Sequence, residues 1–408
     1  MRVAIVNLFY PPDLAASAHF ARSLAEHRAS LGDHVTMITG RGTYLGGRSD
    51  DDHAGAAPPG GRRVSVVRLW TPSLGKGTAL KRLADYLAFL VGAVARLAVG
   101  PRHDVVIAMT SPPYALTAAV VHRIVNPGAR VILWSHDVYP DAAEAYGQVR
   151  RGGGVSRFLR AALRFLLRRT DHVVALDDAM LARTLAHVEP ERRPPGTVIP
   201  NWEPLELFPA DIDPPRWEGY DGVDGFVALY LGNLGYGHPT STLIEAATRL
   251  EGHDVTFLFV GGGVRYPEMA EAVRRRGLSR VVFRDYVPKD RTPNVLVGAD
   301  CAVISLDDGS LGIMSPCKLH GALAMGKPVI YVGPIGTNVD QAIETYGCGF
   351  SLRQGDVDGL VEAILRLRDE PDLASEMSRS ARKAFETAYS DEQTLPQFDR
   401  LLADVVRA

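Results

Sequence analysis

The chain of 408 residues has few cysteines, few lysines and almost no net charge. Its three cysteines fit neither a CxxC motif nor a zinc-ligand spacing, and three thiols cannot all pair, so a reducing compartment is expected. A formal net charge of −2 excludes the strong basic field that is typical of nucleic-acid-binding proteins. Only six of the 45 basic residues are lysines, so a lysine inside a small-residue loop is a notable feature.

The sequence also lacks an apolar run that is long enough for a transmembrane helix. The stretch 83–99 is the most apolar, but Asp85 and Arg96 interrupt it, and it is shorter than the roughly 20 residues that a spanning helix needs. Residues 81–99 are therefore predicted to form an amphipathic helix. This helix either belongs to the first domain's core or edge, or rests on a membrane surface. The chain is accordingly predicted to be cytoplasmic, with peripheral contact at the inner membrane face as the alternative.

Strand-length apolar runs alternate with helical stretches along the whole chain. Val3–Leu8 and Val105–Met109 belong to a first series, and Phe226–Leu231 and Cys301–Ser305 belong to a second. This alternation predicts an α/β protein with two Rossmann-like, doubly wound parallel-sheet domains. The segment DIDPPRWEGYDGVDG has the proline, glycine and aspartate content of a linker. The predicted parts are a first domain at 1–208, a linker at 209–224, a second domain at 225–390 and a final helix at 391–408.

Three predicted strands of the first domain end in segments that suit a binding site. Small residues, Ala15, Ala16 and Ser17, follow the first strand, and Ser111 precedes two prolines after another. Parallel sheets bind ligands at the carboxyl ends of their strands. The richest segment, WSHDVYPD, supplies His136, Asp137, Tyr139 and Asp141. His136 can exchange a proton or bind a sugar hydroxyl, with Asp137 orienting it or holding the acceptor. A His–Asp pair that only fixes the loop is the alternative.

Two segments of the second domain predict a phosphate site. Gly232 and Asn233 open a glycine-rich turn that ends at His238, although the turn is not a GxGxxG dinucleotide motif. Further on, the loop that runs through Ser315, Pro316 and Cys317 leads into a helix that carries Lys318 in its first turn. Amide donors, a positive helix end and a lysine together suit a diphosphate. The alternative is that Lys318 is an ordinary solvated helix residue.

Taken in order, these segments resemble the family-4 retaining glycosyltransferases of the GT-B fold, and in particular the branch of bacterial polysaccharide enzymes of the colanic-acid type. The resemblance covers nearly the whole chain and rests on FYPPDLAASAHF, DVVIAMTSPPYAL, WSHDVYPD, VIPNWEPLELFP, LYLGNLG and PCKLHGALAMGKPVI, which follow one another in the family's order.

The resemblance implies that the second domain binds a nucleotide diphosphate-sugar in a cleft that faces the first. The expected donor-binding residues are Gly232, Asn233, His238, Tyr286, Val287, Ser315, Pro316, Cys317, Lys318 and Gly321. Residues His136 and Asp137 are expected to face the transferred sugar and the acceptor, together with Ala15, Ala16, Ser17, Ser111, Tyr139 and Asp141. The final helix is expected to return to the first domain, and no metal ion is expected, since no DxD clamp is present.

The chain departs from the family pattern at several of these positions. Gly321 stands where the family usually has a glutamate that binds the ribose hydroxyls, and Ile313 stands where many members have another glutamate beside the sugar. Ala15 and Ala16 replace a Gly-Gly pair, and His238 is the nearest cation candidate after the GNxG turn, where the family often has arginine or lysine.

The sequence thus predicts a hexosyl-type glycosyltransferase that works with retention of configuration. Its acceptor is either a small metabolite or a lipid-linked saccharide. The alternatives are a non-hydrolysing nucleotide-sugar epimerase and a degenerate GT-B protein that binds without catalysing transfer.

Overall fold

A computed structural model describes residues 1–13, 15–41, 63–72 and 79–407, which form two compact units. The first unit consists of Met1–Ile199, Gly312–Met314 and Leu395–Ala408. The second consists of Pro200–Leu311 and Ser315–Thr394. Each unit is built on its own parallel sheet.

The sheet of the first unit has seven parallel strands in the order β3-β2-β1-β4-β5-β6-β7. The strands are β1 (Arg2–Val6), β2 (His34–Gly40), β3 (Ser65–Leu69), β4 (Val105–Met109), β5 (Arg130–Trp134), β6 (His172–Ala175) and β7 (Gly196–Val198). The helices before residue 199 are α1 (Ala16–Ser30), α2 (Ala79–Val99), α3 (Leu116–Val125), α4 (Asp141–Ala145), α5 (Gly154–Leu167) and α6 (Asp178–Leu185).

Helices α2, α3 and α5 cover one face of this sheet. Phe89 of α2, Leu116 of α3 and Leu163 of α5 share a buried cluster with Ala4 and Val106 of the central strands. Strands β1 and β4 are apolar almost throughout because helices cover both of their faces, as is usual for parallel sheets.

The sheet of the second unit has six parallel strands in the order β10-β9-β8-β11-β12-β13. The strands are β8 (Phe226–Asn233), β9 (Val255–Gly262), β10 (Val281–Arg284), β11 (Cys301–Ser305), β12 (Val329–Val332) and β13 (Gly349–Leu352). The helices are α7 (Ser241–Arg249), α8 (Tyr266–Arg276), α9 (Thr292–Val297), α10 (Lys318–Ala324), α11 (Asn338–Tyr346), α12 (Val357–Asp369) and α13 (Pro371–Ala384), and a π-helix follows at Phe385–Tyr389.

The last helix, α14 (Asp391–Arg407), belongs to the first unit from Leu395 onward. Arg28 donates from Nη1 to Oδ1 of Asp399 at 2.6 Å, and Nε2 of His27 lies 2.9 Å from Oδ2 of the same carboxylate. The ring of Phe398 packs edge-on against Trp134 at 4.8 Å between centroids. The Arg28–Asp399 ion pair, the His27 contact and an aromatic contact therefore hold this helix to α1 and β5.

The predicted class, two Rossmann-like parallel-sheet domains, is confirmed. The sequence interpretation lacked β7 and β13, whose sequences GTV and GFSL are short and have few apolar residues. The division between units falls at Ile199–Pro200 rather than at residue 208. The segment predicted as a linker, 209–224, is held to the second unit, since the Tyr220 hydroxyl donates to the Val295 carbonyl at 2.6 Å.

Candidate functional site

Backbone packs directly on backbone where β8 and β9 end in the second unit. Gly232 has a φ of 115° and Gly261 a φ of 140°, which side chains rarely adopt. A Cβ added at Gly261 would lie 2.3 Å from the Gly232 carbonyl oxygen, so no larger residue fits there. The carboxyl edge of this sheet is therefore lined by main-chain groups, which a ligand can approach closely.

Lys318, the first residue of α10, lies beside this glycine-lined edge. Its Cε is 3.6 Å from the position of a Cβ at Gly232. Its Nζ lies 5.1 Å from the ring centroid of Tyr230 and 3.3 Å from Nε2 of His238. Burial lowers the pKa of Lys318 to about 8. Within the described part of the chain, no carboxylate pairs with this half-buried ammonium, which is therefore ready for an anionic ligand.

His238 is a neutral neighbour of Lys318. Its Nδ1 donates to the Ser305 carbonyl at 2.6 Å, which leaves Nε2 as an acceptor facing the Lys318 ammonium. Burial, together with the charge of Lys318, lowers the pKa of His238 to about 3. In this structure His238 is therefore neutral rather than cationic and accepts from the Lys318 ammonium, and its part in donor binding remains a prediction.

The turn before α10 offers hydrogen-bond donors close to Lys318. The amides of Cys317 and Lys318 donate to no main-chain carbonyl of the described residues. The Ser315 hydroxyl is buried without a hydrogen-bond partner there, and the Pro316 carbonyl accepts from Nδ2 of Asn338 at 3.2 Å, which fixes the turn. These groups suit phosphate oxygens, for which backbone amides and hydroxyls are common ligands.

An aromatic residue stands at the end of the neighbouring strand β10. The Tyr286 hydroxyl donates to Oδ1 of Asn233 at 3.2 Å, and the ring lies 2.9 Å from the position of a Cβ at Gly262. Tyr286 is exposed and Val287 half-buried, so both are accessible to a flat ligand such as a nucleotide base. Gly321 is buried on α10, one turn after Lys318.

The predicted catalytic residues of the first unit follow strand β5. The amides of His136 and Asp137 both donate to the Thr110 hydroxyl at 3.0 Å, which joins the ends of β4 and β5. The His136 ring contacts Phe20 and Trp134, and its Nε2 is buried without a partner among the described residues. Burial lowers the pKa of His136 to about 3, so the ring is neutral and a weak base near pH 7.

Two further predicted strand-end groups of the first unit lie at the ends of β1 and β4. Ala15 is buried at the start of α1, and Ser17 accepts a hydrogen bond at 3.3 Å from Nδ2 of Asn7. The Ser111 carbonyl accepts from the amide of Leu8 at 2.6 Å, and Ala16 is exposed as the first residue of α1. Ser17 follows β1 and Ser111 follows β4. Since these two strands are adjacent, the structure places both serines at the same edge of the sheet.

Asp141 is bound by a histidine and two arginines within the first unit. Its carboxylate lies 2.7 Å from Nε2 of His187 and 3.1 Å from Nε of Arg183. Burial alone raises the pKa of Asp141, but the His187 hydrogen bond and the nearby arginines outweigh burial and lower it to about 2. Tyr139 and Asp137 line a cavity of about 30 Å³, which has room for water but not for a sugar. The acceptor roles of these residues remain predictions.

The sequence interpretation missed several groups at the edge of the second sheet. Gly261, Gly262 and Gly263 form a run at the end of β9, and a Cβ at Gly263 would lie 2.5 Å from the Leu234 carbonyl oxygen. Arg265 follows, and its charge contributes to the low pKa of His238. A triple glycine after an apolar strand was a visible signal. The position of Arg265 depends on tertiary structure and gave no such signal.

The loop that precedes α10 is divided between the two compact units. Gly312–Met314 belongs to the first unit, where the amide of Val138 donates to the Ile313 carbonyl at 2.9 Å. Ile313 is fully buried, and a Cβ at Gly312 would lie 2.5 Å from the Ala179 carbonyl oxygen. Ile313 therefore has a packing role here.

Two Rossmann-like parallel-sheet units are the architecture of the GT-B class of transferases. Residues 16–202 match the model of the Glycosyl transferase 4-like domain, and residues 225–370 match the model of the Glycosyl transferases group 1. Between them, the two models span most of the chain and identify it as a glycosyltransferase of the GT-B fold.

One curated relative is similar to the chain over almost its full length. The putative colanic acid biosynthesis glycosyl transferase WcaI of Escherichia coli is 25% identical over 98% of this chain and 98% of its own. Among solved structures, sucrose-phosphate synthase from Thermosynechococcus elongatus has a TM-score of 0.75 at 16% identity, over 99% of both chains. Anabaena HepE in complex with UDP-glucose has a TM-score of 0.68 at 16% identity, over 99% of this chain and 100% of its own.

Proposed function

We propose that this glycosyltransferase moves a hexose from a nucleotide diphosphate-sugar to an acceptor hydroxyl with retention of configuration. The observation that carries the donor side of this proposal is the half-buried ammonium of Lys318. This group has no carboxylate partner within the described residues and faces the glycine-lined edge at Gly232. A charge removed from water without a counterion is costly unless a ligand of opposite charge compensates it. A pyrophosphate supplies that charge.

The chemistry follows from the charge that develops on the leaving group. The bond between the anomeric carbon and the phosphate oxygen breaks, and the nucleotide diphosphate gains negative charge. Lys318 and the amides of Cys317 and Lys318 would stabilise that charge, which is the largest contribution expected for such a step. Fixed donors in a partly desolvated site act more strongly than the same donors in water.

Retention is proposed by a front-face route. The acceptor oxygen would bond to the anomeric carbon on the face that the phosphate leaves, and its proton would pass to the departing phosphate oxygen. A neutral His136 with an unpartnered Nε2 suits a hydrogen bond to a sugar hydroxyl better than proton abstraction. Proton NMR of the anomeric centre during turnover tests this route, because an inverted product would contradict it.

The donor proposal is tested by calorimetric titration with UDP and with GDP. Lys318→Ala should weaken binding of the preferred nucleotide by at least about 100-fold, the effect of removing one charge-stabilising donor. Lys383→Ala is the matched control, since Lys383 is exposed on α13. Equal affinities for the wild type and Lys318→Ala would rule out the proposed donor site.

The same preparation separates transfer from its alternatives. An epimerase would convert a nucleotide sugar without any acceptor, and a non-catalytic protein would bind the nucleotide but consume no donor. Donor consumption that requires an added acceptor would support transfer.

We further propose that the acceptor is a lipid-linked saccharide reached at a membrane surface. No helix in the described ranges is long and apolar enough to cross a bilayer. On α2, however, Leu83, Leu87 and Val91 form an outer stripe at helical spacing and are 51%, 53% and 68% exposed. On α5, which covers the same sheet face, Phe158 is 71% exposed between Arg157 and Arg164. Apolar stripes flanked by arginine suit an anionic lipid surface.

The similarity to WcaI, named for colanic acid biosynthesis, supports a saccharide acceptor.

Sedimentation with vesicles of phosphatidylglycerol and phosphatidylcholine tests the membrane contact. The triple substitution of Leu83, Leu87 and Val91 by serine should reduce vesicle binding several-fold, since apolar area drives interfacial binding. Ile335→Ser, at a position 68% exposed in the second unit, is the control. Unchanged binding by the triple variant would favour a small soluble acceptor instead.

A further inference from the structure

Glu203 is a buried carboxylate in the second unit that none of the roles above uses. Its side chain is 7% exposed. Its amide donates to the Tyr389 carbonyl at 3.1 Å, and its own carbonyl accepts from the amide of Asp391 at 3.1 Å. Main-chain bonds on both sides therefore fix the position from which this carboxylate projects.

The carboxylate of Glu203 projects toward the glycine of α10. A Cβ added at Gly321 would lie 3.9 Å from Oε1 of Glu203, 3.4 Å from Cδ1 of Leu296 and 3.8 Å from Cγ2 of Thr292. Residues 318 and 321 are three apart on α10, so their side-chain positions lie on one face of the helix, about 5–6 Å apart. Because Gly321 has no side chain, the Glu203 carboxylate faces this helix position, which lies about one helical turn from Lys318.

A lysine holds one oxygen of this carboxylate. Nζ of Lys289 donates to Oε1 of Glu203, while Oε2 accepts no hydrogen bond from the residues that the structure describes. Asp285, Asp290 and Asp308, on nearby loops of the same unit, are exposed to solvent. Glu203 is therefore a buried carboxylate with one oxygen still available as an acceptor among the described residues.

We infer that Glu203 accepts hydrogen bonds from the ribose hydroxyls of the nucleotide diphosphate, with Lys289 holding the carboxylate in place. This inference rests on the proposed function. A carboxylate is the usual partner of a ribose hydroxyl in Rossmann-like sites, because it accepts from the hydroxyl without competing as a donor. The diphosphate at Lys318 and the base near Tyr286 are joined through the ribose. A ribose contact about one helical turn from Lys318 fits that order.

The test compares a nucleotide that has the ribose hydroxyls with one that lacks them. Calorimetric titrations use UDP and 2′,3′-dideoxy-UDP, or the guanosine pair if GDP is the preferred ligand. We expect Glu203→Gln to bind UDP about 10- to 100-fold more weakly, the range for a lost hydrogen bond to a charged group. The dideoxy nucleotide should bind the wild type and Glu203→Gln equally.

Glu206→Gln is the matched control, because Glu206 is exposed three residues further along the same segment. It should bind both nucleotides like the wild type. If Glu203→Gln weakens both nucleotides equally, the residue has a structural role and the inference is overturned. Equal affinity of wild type and Glu203→Gln for UDP would overturn it as well.

Moving the carboxylate from position 203 to position 321 gives a second, independent readout. Gly321→Glu in the Glu203→Gln background places a carboxylate at the neighbouring backbone, where a Cβ meets only ordinary contacts of 3.4 Å or more. UDP affinity should recover at least tenfold while dideoxy binding stays constant. No recovery in a variant with wild-type melting temperature would contradict a ribose contact here. If Lys318→Ala weakens UDP binding and Glu203→Gln does not, only this inference fails; if neither does, the donor site itself is disproved.

Discussion

The carboxyl edges of the two sheets have the same architecture but opposite chemistry. In the second unit, Lys318 is an ammonium without a carboxylate partner among the described residues, beside main-chain groups at Gly232 and Gly261. In the first unit, His136 is neutral and packed between the rings of Phe20 and Trp134. One edge suits a dianion, and the other suits an uncharged ligand with many hydroxyls.

The arginines near the edge of the first unit are paired with carboxylates. Arg160 and Arg183 lie close to the region, but Asp141 accepts from both, and Glu144 forms a second ion pair with Arg160 at 2.6 Å. Their charge is therefore compensated locally. We therefore expect an anion site only where a strand end also carries a cation without a carboxylate partner, as at Lys318 among the described residues.

The largest expected effect is on catalysis by Lys318→Ala. Removing the ammonium that meets the developing charge should lower kcat/KM at least about 100-fold. Steady-state assays of nucleotide diphosphate release measure this effect, with Lys383→Ala as the control. A loss below threefold would show that the two edges do not differ in the way described.

The next effect is the pH dependence of nucleotide binding. The pKa of Lys318 is lowered by burial to about 8, so the ammonium is present below pH 8 and is lost as the pH rises. UDP should therefore bind about tenfold more weakly at pH 9 than at pH 7. Lys318→Arg should show a flat profile over this range, because a guanidinium stays protonated. A parallel decline in both proteins would assign the titration to another group.

A smaller effect is expected from His136→Phe in the first unit. Loss of one neutral hydrogen bond to a sugar hydroxyl should lower kcat/KM about fivefold to tenfold. Nucleotide affinity should not change, because the proposed donor site lies in the second unit. His172→Phe, at the amino end of β6, serves as the control. A 1000-fold loss with a kinetic pKa near 6.5 would instead make His136 the general base.

The smallest effect on activity is expected at Asp141, where stability is affected instead. The pKa of its carboxyl is about 2, below the ordinary 3.8, so its stabilising contribution is present above about pH 4 and is lost as the pH falls through 2. Asp141→Asn should remove about 2 kcal/mol from the first unit at pH 7 and much less at pH 2. Calorimetric melting at the two pH values measures the difference. A large loss of activity with unchanged stability would instead support a role for Asp141 in the acceptor site.

The sequence predicted the two-sheet architecture because continuous apolar strands such as β4 and β11 have a strong and unambiguous pattern. It also singled out Lys318, because the residue follows a loop of small residues in a lysine-poor chain. It did not predict the neutral state of His238, which depends on burial in the folded chain and on the charge of Lys318, 80 positions away. Glu203 was missed for the same reason, since its proximity to Gly321 exists only after folding.

The glycines around Lys318 also predict which positions tolerate variation. Gly261 cannot accept even alanine without displacing main chain, since its Cβ would lie 2.3 Å from a carbonyl oxygen. Gly321 has no such restriction, since the nearest atom to an added Cβ is a leucine methyl at 3.4 Å. Saturation mutagenesis should therefore return glycine alone at position 261 and a range of residues at 321. The proposed ribose contact can then be varied at position 321 without disturbing the strand edge that is proposed to hold the phosphates.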